Sequence, residues 1–222
     1  MDQVTTDAPR FAAMREAMVT SQLRTTAVSD SRVLAAMAQV PREAFVPAER
    51  RDTAYVDRPV ALGRGRFLNP PMVIGKLLTE AYLRTGDRAL LIGAATGYAA
   101  ALLAALVDTV VAVEVDPVLA ETARAALAGT SSVTVVEGPL AAGHPEGAPY
   151  DVLVVDGAVD AVPPALIEQV AIGGRVVAGV VDRGVSRLAF GVRSAHGFGL
   201  TDFADADCVT LPGFARARMF SF

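Results

Sequence analysis

The stretch Ala89-Leu-Leu-Ile-Gly-Ala-Ala-Thr-Gly-Tyr98, followed by Thr109-Val-Val-Ala-Val-Glu114, decides the fold of this 222-residue chain. Residues 89–92 form a short apolar run, as expected of a buried parallel strand. Gly93 and Gly97 allow a tight turn and a close approach of the backbone to a ligand, and the next helix points its first amides at that ligand. The pattern predicts strand, glycine turn, helix, strand and carboxylate, which is the first half of a nucleotide-cofactor site.

The spacing of the glycines separates two kinds of cofactor. A dinucleotide fingerprint, G-x-G-x-x-G from Gly93, requires glycines where the chain has Ala95 and Tyr98. The alternative G-x-G-x-G departs only at Ala95, which we expect to be tolerated with a negative φ. Glu114 ends the second strand about twenty residues after the turn, where a carboxylate accepts hydrogen bonds from both ribose hydroxyls of an adenosine. A 2′-phosphate would be repelled there.

Composition bounds the class of protein. Hydrophobic residues make up 52% of the chain, mean hydropathy is +0.40, and residues 89–107 carry no charge over a length that would just span a membrane. Glycines near the start of this run and the strand-like run after it favour strand, turn and buried helix instead. The net charge of −4, with no run of more than two basic residues, disfavours nucleic acid. We expect neither a membrane nor a nucleic acid as a partner.

Several residue types are considered for other chemistry and set aside. Cys208 is the only cysteine, and the N-terminus lacks a basic region followed by an apolar one, so we expect a cytoplasmic protein. His144 and His196 have no carboxylate or cysteine partner at ligand spacing, which predicts no metal site. Ser186 and Ser194 lie in no nucleophile elbow, which disfavours a serine hydrolase.

The order of elements predicts a single α/β domain with an N-terminal helical segment. Residues 41–72 read mostly as loop because prolines and glycines interrupt them. Helices are predicted over residues 11–24, 33–40 with Ser29 or Asp30 as cap, 73–83, 117–128 and 163–170. Strands are predicted over residues 89–92, 109–114, 133–137, 151–155, 175–181, 186–193 and 200–208. The expected divisions are a helical and loop cap (1–75), a cofactor-binding core (76–181) and C-terminal strands (182–222).

The carboxyl ends of the core strands carry the residues expected to bind the ligand, because ligands of doubly wound sheets bind at that edge. Together these residues resemble the S-adenosylmethionine site of class I methyltransferases. The resemblance implies that fold, a Rossmann-like doubly wound sheet, and a cofactor site made of Gly93, Ala94, Ala95, Gly97, Tyr98, Glu114, Val115, Gly138, Pro139, Leu140 and Asp156. The alternative is a Rossmann-like domain whose glycine turn only connects a strand to a helix.

A second motif lies outside the cofactor turn. The string Val33-Leu-Ala-Ala-Met-Ala-Gln-Val-Pro-Arg-Glu-Ala-Phe-Val46 resembles the segment V-P-R-E-x-F-V of protein-L-isoaspartate O-methyltransferases, and Tyr55, residues 59–65 and residues 71–73 follow in the order of that family. The resemblance covers residues 14–181, and the last forty residues match poorly. It implies methyl transfer from S-adenosylmethionine to the side-branch carboxylate of isoaspartyl residues in damaged proteins or peptides, by a divergent bacterial branch of the family.

The chain departs from the family pattern at four positions. Asn69 replaces a short hydroxyl residue beside cofactor and substrate, and its amide can still donate to the acceptor carboxylate. Leu91 and Pro139 replace acidic residues that contact the cofactor. Asp156 stands where the family has a small neutral residue, and we expect it to compensate for Leu91 by facing the cofactor amine. Asn69 and Asp156 are therefore the predicted catalytic residues.

Three functional hypotheses follow from these residues. The first is methylation of isoaspartyl carboxylates, the second is the same fold with a different acceptor, and the third is a non-catalytic cofactor-binding or partner-binding relative. Arg64 and Arg66 flank Gly65, where a guanidinium could clamp an acceptor carboxylate or remain solvated. The apolar alternation in residues 211–222 suggests an edge strand on this domain or on a partner subunit, so both a monomer and a homodimer remain open.

Overall fold

The computed structural model describes residues 3–214. The helices are α1 (Gln3–Ala17), α2 (Ser31–Gln39), α3 (Pro71–Glu80), α4 (Tyr98–Ala104), α5 (Pro117–Ala126) and α6 (Pro164–Ile167). The strands are β1 (Val60–Gly63), β2 (Arg66–Leu68), β3 (Arg88–Ile92), β4 (Thr109–Glu114), β5 (Val133–Glu137), β6 (Tyr150–Val159), β7 (Val170–Asp182), β8 (Val185–Val192) and β9 (Thr201–Asp205). The residues after 214, which include most of the suggested C-terminal edge strand, lie outside the described range.

Seven strands form one sheet in the order β5-β4-β3-β6-β7-β8-β9. The contacts among β5, β4, β3, β6 and β7 are parallel, and the last two strands return as an antiparallel meander. The order reverses at β3, from which β4 extends to one side and β6 to the other. Ligands of doubly wound sheets bind above such a reversal, so the topology places the candidate site at the carboxyl ends of β3, β4 and β6.

Both faces of the sheet are buried, which explains the nearly continuous apolar runs of its central strands. Successive side chains of a strand point to opposite faces. Leu91 accordingly packs in a cluster with the N-terminal helices, and Leu90 and Ile92 pack in a second cluster with Leu211 and Phe214. The C-terminal segment therefore supplies part of the core beneath the site.

The N-terminal helices differ in extent from the sequence prediction. Asp30 caps α2 by accepting hydrogen bonds from the Arg32 and Val33 amides, as one of the two predicted caps, and the helix ends before Pro41. The helix expected over residues 11–24 is instead α1 followed by a π-helical turn, Met18–Leu23.

Two other regions were predicted incorrectly. Residues 41–72 contain two 3₁₀ turns and the antiparallel hairpin β1–β2, where the sequence indicated mostly loop. The helix expected over residues 163–170 is reduced to α6, because Val170 already pairs with Tyr150 in the sheet. Of the helices within residues 3–214, none combines the length and apolarity needed to cross a membrane.

Candidate active site

Strand register brings the predicted site residues to one edge of the sheet. Ile92 lies beside both Val113 and Val155, and Glu114 lies beside Glu137. The next residues of these strands therefore meet at one edge, together with Glu114 itself: Gly93, Gly138 and Asp156. Gly93 and Asp156 are 63 positions apart in the sequence, and parallel strand pairing brings them together.

The glycine turn is held by hydrogen bonds to the neighbouring strand. The amides of Gly93 and Ala94 both donate to the Val113 carbonyl, at 3.0 Å each. Gly93 and Gly97 have φ values of +87° and +100°, which glycine adopts without a steric penalty. Ala95 also has a positive φ, +49°, so our expectation of a negative φ there is wrong.

A hydrogen bond to Glu114 accompanies this conformation. The Ala95 amide donates to Glu114 Oε2 at 2.7 Å while Ala95 lies in the left-handed region. An L-residue there costs about 1–2 kcal/mol. The turn therefore stores a small strain in order to direct an N–H group at a buried carboxylate.

Glu114 is fully buried and its two carboxylate oxygens are saturated with donors. Oε1 also accepts from the amides of Val115 and Asp116, both at 3.0 Å. Arg66 completes the set with a bidentate ion pair, donating from Nη1 to Oε1 and from Nη2 to Oε2, the latter at 3.0 Å. Both side chains are buried, so this ion pair is a structural contact between the hairpin and β4 rather than a solvent-exposed pair.

The hairpin β1–β2 carries a second arginine to the same strand end. Arg64 Nε donates to Asp116 Oδ2, and Asp116 in turn caps α5 through the amides of Val118 and Leu119. The hydrogen bond from Arg64 holds the pKa of Asp116 below its ordinary value. The sequence left open whether these arginines are solvated or clamp an acceptor carboxylate. Arg66 does neither in the structure, because it is buried and bound to Glu114.

Asn69 and Asp156, the two predicted catalytic residues, are in direct contact. Asn69 Nδ2 donates to Asp156 Oδ1 at 2.8 Å, and both side chains are buried. Burial raises the pKa of Asp156 to about 6, against the opposing effects of the Asn69 amide and the Arg42 and Arg66 guanidinium groups. Asn69 Oδ1 accepts from the Val209 amide at 2.9 Å, so Asn69 also holds the C-terminal segment.

Arg42 is a buried residue of the site that we did not single out from the sequence. Its Nε donates to the Ala54 carbonyl at 2.6 Å and its Nη2 to the Asn69 carbonyl at 2.5 Å. Its guanidinium stacks on the Tyr98 ring, 4.7 Å from the centroid. Its Nη1 and the Tyr98 hydroxyl have no hydrogen-bond partner within residues 3–214. The sequence motif already contained this residue, since Arg42 is the arginine of the V-P-R-E string.

Leu211 is the second residue that sequence reasoning missed. Its Cδ2 atom lies 2.9 Å from the position of a Cβ on Gly93 and 2.8 Å from that of a Cβ on Gly157. Only glycine at these two positions leaves room for it. No local pattern marks Leu211 for this place, because its partners lie more than fifty residues away.

The remaining predicted cofactor residues line the edge between β4 and β5. Val115 is 41% exposed and Leu140 is buried. A Cβ on Gly138 would meet no atom within 4 Å, so open space adjoins its backbone. Within the described residues no group of three or more His, Cys, Asp or Glu side chains is arranged to hold a metal ion.

A doubly wound sheet with a glycine turn after its first core strand and a buried acid at the end of its second defines the class I methyltransferase fold, as the sequence predicted. A solved protein-L-isoaspartate O-methyltransferase superposes with a TM-score of 0.78 at 26% identity, over 90% of this chain and 66% of that chain. A putative protein-L-isoaspartate O-methyltransferase from Plasmodium falciparum, in complex with S-adenosyl-L-homocysteine, gives 0.75 at 16% identity, over 90% and 97% of the two chains. At that identity it shows the fold alone.

Sequence comparison resolves the class to a family. The family model described as protein-L-isoaspartate(D-aspartate) O-methyltransferase matches residues 13–201. Protein-L-isoaspartate O-methyltransferase 1 of Rhodopseudomonas palustris (strain HaA2) is 44% identical over 188 residues, covering 83% of this chain and 77% of that one. The protein-L-isoaspartate O-methyltransferase of Methanoculleus marisnigri is 43% identical over 171 residues, 76% and 78% of the two chains. The chain belongs to the protein-L-isoaspartate O-methyltransferase family, which confirms the resemblance drawn from the sequence.

Proposed function

We propose that the protein transfers the methyl group of S-adenosylmethionine to the side-branch carboxylate of L-isoaspartyl residues in damaged proteins. The observation that carries this proposal is the family match over residues 13–201, which includes the glycine turn, Glu114 and Asp156. The relatives at 43–44% identity bear the corresponding name. The product of the cofactor would be S-adenosylhomocysteine.

The residues at the carboxyl edge fit this cofactor in kind and position. Gly93 and Gly157 form a glycine cradle in which Leu211 lies within 2.9 Å of the positions that their Cβ atoms would take, and Glu114 supplies an acidic group at the end of β4. We assign Glu114 to the ribose, Val115, Gly138, Pro139 and Leu140 to the adenine, Gly93, Ala94, Ala95, Gly97 and Tyr98 to the turn around the methionine tail, and Asp156 to the amine. In the structure Arg66 binds Glu114, and Leu211 packs against Gly93 and Gly157.

The reaction demands little acid–base chemistry from the chain. When bound, S-adenosylmethionine supplies an electrophilic methyl group on a sulfonium. The acceptor carboxylate is ionised at neutral pH, so the chain has to align and desolvate it rather than deprotonate it. Asn69 is the residue that we assign to this task, because its Nδ2 is a buried N–H donor already bound to a carboxylate, that of Asp156.

Methyl transfer to a matched pair of peptides tests the proposed acceptor. We expect label from methyl-radiolabelled S-adenosylmethionine to enter an isoaspartyl peptide and not its aspartyl isomer. Asn69→Ser restores a hydroxyl of the family type, and we expect it to retain or increase the rate. Labelling of neither peptide by a protein that binds S-adenosylhomocysteine would exclude the isoaspartyl acceptor.

Two alternatives are favoured by particular residues. A different acceptor on the same fold is favoured by Asn69 in place of the hydroxyl residue. A non-catalytic relative is favoured by Leu91 and Pro139, and by the contacts that Arg66 and Leu211 make in the cofactor cradle. Calorimetry with S-adenosylhomocysteine distinguishes the non-catalytic hypothesis from the two enzymatic ones.

The setting of the reaction belongs to the same proposal. We assign the protein to the cytoplasm, with isoaspartyl proteins or peptides as partners, without nucleic acid, and as a monomer or homodimer. The chain is treated as one methyltransferase domain, with a cap (1–75), a cofactor-binding core (76–181) and C-terminal strands (182–222). Light scattering on a chain lacking residues 214–222 tests the subunit contact, since a changed mass would place the C-terminus in an interface.

A further inference from the structure

Residues 207–214, here called the strap, cross the carboxyl edge of the sheet. The Ala158 amide donates to the Val209 carbonyl at 2.7 Å, and the Leu211 amide donates to the Ala158 carbonyl at 2.9 Å. Thr210 forms a parallel bridge with Ala158. The strap is therefore held on β6 as a short extra strand, directly beside Gly157.

The side chain that the strap delivers is the one that fills the glycine cradle. Leu211 is buried, and its methyl groups lie against Gly93 on one side and Gly157 on the other. Glycines at strand ends that meet a ligand leave room for that ligand. Here that space is taken by Leu211, which also belongs to the core cluster of Leu90, Ile92 and Phe214, so a movement out of the cradle also removes it from that core.

The acidic end of the cleft is also occupied from within. Arg66 contributes two of the five N–H donors around the Glu114 carboxylate, and the other three come from backbone amides that belong to the turn and to the end of β4. Backbone donors remain in place when the hairpin moves. Arg66 is the part of this arrangement that can be exchanged for other donors, such as the two hydroxyls of a ribose.

Asn69 connects the hairpin that carries Arg66 with the strap that carries Leu211. It follows β2 of the hairpin that carries Arg66, and its side-chain oxygen accepts from the Val209 amide of the strap. Its Nδ2 is bound to Asp156 on β6. Moving either the hairpin or the strap thus disturbs the same buried amide, so the two movements are coupled.

We propose that the strap and the hairpin β1–β2 form an internal closure of the cofactor cleft, in which Leu211 and Arg66 compete with the cofactor for Gly93, Gly157 and Glu114. This inference rests on the proposed function for the identity of the ligand. Leu211 lies beyond residues 13–201, the part of the chain that the family model matches. Cofactor affinity is then reduced by the fraction of molecules that are closed.

Calorimetric titration with S-adenosylhomocysteine tests the competition. Leu211→Ala removes the side chain in the cradle and keeps the backbone of the strap, and we expect it to bind about tenfold more tightly than the wild type. Leu166→Ala is the matched control, since Leu166 is also buried in the same core cluster but lies on α6. Equal affinity of the wild type and Leu211→Ala would overturn the inference.

Hydrogen exchange of the unmodified protein gives a second readout that does not depend on a variant folding. The Val209 and Leu211 amides are bonded to Asn69 Oδ1 and to the Ala158 carbonyl, and both bonds break if the strap leaves. Saturating S-adenosylhomocysteine should therefore accelerate their exchange, whereas a ligand that binds beside an unmoved strap leaves it unchanged or slower. The second result refutes the closure.

The closure and the proposed function fail in distinguishable ways. Ligand binding with faster exchange in the strap, but without methylation of the isoaspartyl peptide, upholds the closure and refutes the acceptor. Methylation with equal affinities and unchanged exchange upholds the function and refutes the closure. Absence of binding in the wild type, Leu211→Ala and Arg66→Ala alike refutes the closure together with the cofactor assignment.

Discussion

Replacing Asp156 by asparagine is expected to stabilise the protein at neutral and alkaline pH. Asp156 is 5% exposed, and burial raises its pKa from the ordinary value of 3.8 to about 6. A rise of about two pKa units corresponds to about 3 kcal/mol of preference for the neutral form, at 1.36 kcal/mol per unit. Asparagine keeps the shape and an oxygen that can accept from Asn69 but carries no charge.

The sign of the pH dependence follows from the two pKa values. Below pH 3.8 the carboxyl group is neutral in both the folded and the unfolded chain, so aspartate and asparagine should be equivalent. Between pH 3.8 and about 6 the unfolded chain releases the proton while the folded chain retains it, which favours unfolding of the wild type. Above about pH 6 the difference reaches its full value of about 3 kcal/mol and stays constant.

Urea unfolding at pH 4, 5, 6 and 8 measures this difference. Asp108→Asn is the matched control, because Asp108 is an exposed aspartate and its replacement should change the free energy of unfolding little at any of these values. If Asp156→Asn is no more stable than the wild type at pH 8 and the control is unchanged, burial of the charged Asp156 carboxylate does not destabilise the protein. The reasoning about its environment would then be wrong.

Three further changes have expected outcomes. Ala95→Gly relieves the left-handed backbone and should raise the free energy of unfolding by about 0.5–1 kcal/mol in urea, and a loss would contradict the positive φ. Glu114→Gln strands a buried Arg66, so it should cost about 3 kcal/mol in the same assay and abolish S-adenosylhomocysteine binding in calorimetry. Asp87→Asn breaks the pair with Arg175, which is also buried, and should cost a similar free energy of unfolding without affecting ligand binding. Loss of binding in Asp87→Asn would mean that Glu114→Gln loses binding only because it is less stable.

The core of the fold was predictable because its signals are local. Residues 133–137 were predicted as a strand and form β5, and residues 89–92 and 109–114 form all or nearly all of β3 and β4. Buried parallel strands need uninterrupted apolar runs, and glycine turns and acidic residues end them. Once those ends were recognised, parallel pairing alone placed Gly93, Glu114 and Asp156 together.

The hairpin β1–β2 and the shortened α6 were missed for the opposite reason. Three- and four-residue strands carry too few residues for a period of two to stand out from a loop rich in glycine. Pro163 and Pro164 signal the start of a helix, and nothing in the following residues announces that Val170 will pair with Tyr150. Tertiary pairing overrides helical spacing there.

The residues that occupy the site are long-range partners, which no local pattern encodes. Arg66 meets Glu114 across 48 positions, and Asn69 meets Val209 across 140. The sequence placed Arg66 near the acceptor segment and predicted Glu114 as a ligand for ribose hydroxyl groups. It gave no indication that the two side chains bind each other.

Electrostatics explains why such a partner has to exist. A fully buried carboxylate is stable only when it is paired and hydrogen-bonded, and Glu114 has to satisfy that condition in the free protein as well as in the complex. Three backbone amides supply part of the compensation but no formal charge. Arg66 supplies the charge from a two-stranded hairpin outside the main sheet, although Val60, Leu62 and Leu68 anchor that hairpin in the hydrophobic core. If Glu114 binds a ribose as proposed, the sugar hydroxyls have to replace the Arg66 donors, and the proposed closure is this exchange.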